Sequence, residues 1–78
     1  RQLPFEFLMN ALRLAEGFHP ALFEARTAQP LSAILPGIRA AEAENLLKVT
    51  PERIAPTLKG RRFLNVLLER FLDDGEAG

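Results

Sequence analysis

The chain has 78 residues, 47% of them apolar, with no cysteine, tryptophan or tyrosine, a size and composition that fit one domain around one modest core. Ten basic and ten acidic residues give a formal net charge of zero, so the basic excess of a dedicated nucleic-acid binder is missing. Without cysteine this segment cannot form disulfides, hold an iron–sulfur cluster or thiolate-bound metal, or supply a cysteine nucleophile.

No apolar run approaches the roughly 18 residues of a spanning helix, and the N-terminus does not read as a signal peptide. The expectation is a soluble cytoplasmic domain over residues 1–72 with a disordered, glycine-containing tail over 73–78.

In chain order, a first helix is predicted over Pro4 to Glu16, with Pro4 in the opening turn and Gly17 placed for a left-handed C-terminal residue. His19-Pro20 opens a short second helix, Ala21 to Thr27, which Pro30 prevents from continuing. Ser32 is expected to cap a third helix reaching Asn45, with Pro36 tolerated near its first turn. Leu46 to Thr50 and Arg53 to Pro56 flank Pro51-Glu52 like two short strands joined by a turn.

Thr57 then suits the N-cap of a closing helix, Leu58 to about Leu72, where Leu64, Leu67, Leu68 and Phe71 recur at i, i+3, i+4 and i+7. Gly60 costs about 1 kcal/mol of helix propensity against alanine, so its use there implies close packing. Helices, a hairpin and a closing helix in this order describe a mainly α, winged helix-turn-helix bundle of about four helices with a short β wing.

Helix one carries the densest signal. Phe5, Leu8, Met9 and Leu12 form one apolar face and Phe7, Ala11 and Leu14 another, more than a small domain is expected to cover. Glu6, Asn10 and Arg13 share a narrow polar stripe between them, which serves either as a solvated surface or as an ordered docking network. The core is assigned Phe5, Leu8, Met9 and Leu12, and the second face a partner.

Candidates for chemistry are sparse. His19 is the single histidine and reads as a cap; His19 or Met9 is a conceivable haem ligand, but the two are isolated candidates and neither has companions at metal-binding spacing. Ser32 has no base beside it, and the carboxylates Glu42 with Glu44 and Asp73 with Asp74 read as solvated. Lys59, Arg61 and Arg62 form the one basic cluster, read as a solvated face, while the third helix offers Arg39 against Glu42 and Glu44 and would repel phosphate. No catalytic, cofactor or metal residue is expected in this segment, nor DNA binding.

The run Leu3-Pro4-Phe5-Glu6-Phe7-Leu8-Met9-Asn10-Ala11-Leu12-Arg13-Leu14, followed by Gly17-Phe18 and by Pro56-Thr57-Leu58-Lys59-Gly60 with Phe63-Leu64-Asn65, resembles the C-terminal domain of oxygen-independent coproporphyrinogen III oxidase-like radical SAM proteins, the HemN and HemW group. The wording is nearer the HemW-like, haem-chaperone branch. The resemblance implies an upstream barrel of the same chain holding a four-iron cluster and S-adenosylmethionine, with porphyrin or haem as the parent's further partner. It also implies that this segment covers or docks at the substrate site, with Glu6, Phe7, Asn10, Arg13, Leu14 and Phe18 as the expected interface. From another functional class, a winged-helix module that binds nucleic acid or protein stays open, and salt-dependent duplex binding would favour it.

Overall fold

The computed structural model describes the backbone of residues 2–77 and the side chains of residues 3–72; the tail expected over 73–78 lies outside the fully described residues. Helix α1 spans Gln2–Ala11, α2 Pro20–Thr27, a 3₁₀ turn Leu31–Ile34, α3 Leu35–Ala43, β1 Leu47–Val49, β2 Ile54–Pro56, α4 Leu58–Arg62 and α5 Leu64–Ala77. The architecture is the expected one, a mainly helical bundle with a two-stranded antiparallel wing.

Helix α1 stops at Ala11 instead of reaching Glu16. Two tight turns follow, closed by Leu14 N–H to the Ala11 carbonyl at 3.3 Å and Gly17 N–H to the Leu14 carbonyl at 3.0 Å. The cause is tertiary: Phe18 exchanges backbone hydrogen bonds with Ile54, 2.9 Å in each direction, and so must lie extended beside the wing. Gly17 makes the approach possible, since its φ is +63° and an added Cβ would strike the Ile54 carbonyl oxygen and stand 2.5 Å from Ala55 Cα.

Helix α2 is built by local chemistry. His19 Nδ1 accepts from the Ala21 N–H at 3.0 Å, Pro20 sits in the first turn, and Ala28 closes the helix in the left-handed region at φ 60°. Ser32 does not cap the third helix. It lies inside the 3₁₀ turn, and α3 begins after Ile34 with Pro36 in its first turn, where the missing N–H costs nothing.

The wing pairs Leu47 with Pro56, Lys48 with Ala55 and Val49 with Ile54, and its turn is closed by Thr50 N–H to the Arg53 carbonyl at 2.9 Å. Beyond it the predicted single closing helix is two. Thr57 Oγ1 accepts from the Gly60 N–H at 2.9 Å as the expected cap, but Phe63 leaves helical geometry with φ −113° and ψ 53° and separates α4 from α5. Gly60 passes so close to the wing that a Cβ would strike the Leu46 carbonyl oxygen, the close packing its position implied.

The core draws Leu8 from α1, Leu12 from the turn that follows it, Phe23 from α2, Ile38 and Ala41 from α3, Leu47 and Ile54 from the wing and Leu67 from α5. Glu44, read as a solvated carboxylate, instead takes a bidentate ion pair from Arg70, with Nε to Oε2 at 2.9 Å and Nη2 to Oε1 at 3.0 Å, fastening the end of α3 to α5. Among the described residues, no helix is long and apolar enough to cross a membrane.

Candidate docking groove

Helices α1 and α2 leave a shallow groove between them, with a volume of about 370 Å³. Its α1 wall is Leu3, Glu6, Phe7, Asn10 and Leu14, residues that recur every three or four positions along the helix and the turn after it. Leu22 and Arg26, four residues apart, form the α2 wall, and Phe18 and Thr27 lie at the base. Leu3 and Leu14 are about half exposed, at 51% and 53%, and Leu22 is 39% exposed.

The structure therefore gathers Glu6, Phe7, Asn10, Leu14 and Phe18 around one groove and leaves Arg13 outside its lining. Arg13 falls out of the expected stripe because the helix has already ended when the chain reaches it. Asn10 Nδ2 donates to the Glu6 carbonyl at 3.0 Å, a bond within the helix itself. Phe18 is 2% exposed, so it supports the groove as a core residue rather than as a free contact.

The division of α1 into an inner and an outer face needs correcting, since Ala11 and Phe7 of the outer face both pack against the core. Phe7, expected outside, is half-buried, with its ring edge-to-face against Phe18 and Phe23 at centroid distances of 5.1 and 5.5 Å. Met9, expected in the core, is 39% exposed. The physical reason is that α2 lies against the Phe7 side of α1, bringing Phe23 over that face. Leu3, Leu22 and Arg26 were not singled out as contacts, although the i, i+4 spacing of Leu22 and Arg26 in a short helix was a usable signal.

Among the described residues, no group of three or more histidine, aspartate, glutamate or cysteine side chains gathers to hold a metal ion, and no buried side-chain polar atom lacks a hydrogen-bond partner. The surface is apolar with isolated charges at its edges, which suits packing against another polypeptide.

The model of the HemN C-terminal domain family matches residues 1–63, a span that contains α1, α2 and the whole groove. The chain belongs to this family. A relative from Haemophilus influenzae, named heme chaperone HemW, is 38% identical over 71 residues, which make up 91% of this chain and 18% of the relative. The chain thus spans under a fifth of the length of the curated relative it matches. No solved structure matches it.

Proposed function

We propose that this HemN C-terminal domain is the accessory, docking domain of a HemN/HemW-like cytoplasmic protein of porphyrin and haem metabolism. The observation that carries the reading is the α1–α2 groove, lined by the exposed Leu3, Leu14 and Leu22 on a domain that already has its own core. The matched stretch is a small part of the Haemophilus relative, which gives the groove a natural cover in the remainder of the parent chain. Glu6, Phe7, Asn10 and Leu14 are assigned to that contact, Phe18 supports them from below, and Arg13, exposed one residue before Leu14, is assigned to its rim.

The relative's name favours the chaperone branch over a porphyrinogen oxidase. The iron–sulfur cluster and S-adenosylmethionine of a radical SAM parent belong outside this chain, whose residues do not fit a cluster: it has no thiolate. Nor do they offer a paired axial site for haem, because His19 Nδ1 is engaged in capping α2 and neither His19 nor Met9 lines the groove. Hydrogen exchange of the full-length parent beside the 78-residue chain tests the docking role. Amides of α1 and α2 should exchange more slowly in the parent, and equal rates in the two would overturn the reading.

A further inference from the structure

The two walls of the groove carry opposite charges that do not meet. Glu6 stands on the α1 wall and Arg26 on the α2 wall, both exposed and both in the lining. Among the described residues, neither the Glu6 carboxylate nor the Arg26 guanidinium has a hydrogen-bond or ion-pair partner. A docked element that covers the apolar strip must also cover these two groups, and a charge removed from water without a counter-charge is costly.

The shape of the groove narrows what the element can be. The walls are the helices α1 and α2, with Leu14 on the turn after α1, and neither wall contains a strand whose open edge could pair with an extended segment. What remains is side-chain packing along a ridge of residues three and four apart, the geometry in which a third helix seats. We infer that the groove receives one amphipathic helix from the upstream region of the parent, with a lysine or arginine over Glu6 and a carboxylate over Arg26, so that the two charges fix its direction. This rests on the docking reading above.

The charges then act mainly on orientation and register, and the leucines on affinity. Hydrogen exchange of α1 and α2 in the full-length parent, for wild type and for Glu6→Arg, Arg26→Glu and Leu14→Asp, tests the inference, with each variant also made in the 78-residue chain. Each charge reversal should speed exchange of the α1 amides in the parent by about tenfold or more while leaving the melting temperature of the 78-residue chain unchanged.

If Leu14→Asp removes the protection and both charge reversals leave it intact, the inference fails and the docking reading survives. Absence of any extra protection in the wild-type parent ends both. Loss of stability by the 78-residue charge variants would show that Glu6 and Arg26 serve the fold, and concentration-dependent protection of the 78-residue chain would make a second copy the occupant. Either result overturns the inference.

Discussion

Phe7 rests edge-to-face on Phe18 and Phe23 while Met9, two residues on, is 39% exposed, because α2 lies against the Phe7 side of α1. Leu12, at 0% exposure, is enclosed outright. Phe7→Ala should accordingly cost the isolated chain about 1–3 kcal/mol through two lost edge-to-face contacts and a partial cavity, against about 2–5 kcal/mol for Leu12→Ala. Urea denaturation of the two variants measures the difference, and a neutral Phe7→Ala would contradict the packing described. Gly17→Ala should cost at least about 2 kcal/mol, combining left-handed backbone strain with the collision against Ile54 and Ala55. A melt indistinguishable from wild type would show that the turn can move away from the wing.

Elements whose ends are set by neighbours in sequence were legible, and those set by distant residues were not. The wing announced itself through Pro51-Glu52 between two short runs, α2 through His19-Pro20, and the start of α4 through Thr57. By contrast α1 is cut short by a bridge between Phe18 and Ile54, 36 positions apart in the chain, which no local propensity reports. The groove was half legible: its α1 wall stood out as a surplus apolar face, while its α2 wall depended on how the two helices meet. The junction at α4 allows a comparison of two bonds. Thr57 Oγ1 accepts from the Gly60 N–H at 2.9 Å and donates to the Asn45 carbonyl at 2.7 Å, so Thr57→Ala should cost about 1–2 kcal/mol at any ionic strength. Glu44→Gln removes an ion pair whose side chains are 25% and 44% exposed, and should cost about 1 kcal/mol or less, shrinking in high salt. Thermal melts at low and high salt check both, and a salt-dependent Thr57→Ala penalty larger than that of Glu44→Gln would reverse the assignment.

For the whole molecule, the question is whether a winged-helix outline brings winged-helix chemistry with it. The radius of gyration, 11.1 Å, is close to the roughly 11.5 Å expected of a compact chain this long, so the exposed leucines do not reflect an unfinished core. Duplex recognition by this architecture would put α3 in the major groove with the wing beside it. Helix α3 and its C-terminal cap bring Arg39 against Glu42 and Glu44, and of the wing's cations Arg53 already donates from Nη1 to the Glu16 carbonyl at 3.0 Å. Lys59 similarly donates to the Glu44 carbonyl at 3.2 Å, which leaves the Arg61 and Arg62 guanidinium groups of α4 with no acceptor among the described residues. Useful DNA affinity depends on neutralising several phosphates at once, about 6–10 in strong binders, and a face that mixes carboxylates with so few cations falls well short. The 78-residue chain should therefore show no saturable binding to a fluorescent duplex at low salt up to high micromolar protein. Micromolar binding that weakens steeply with added salt and is lost in Arg39→Ala would make α3 a recognition helix and would favour a nucleic-acid role beside the proposed docking.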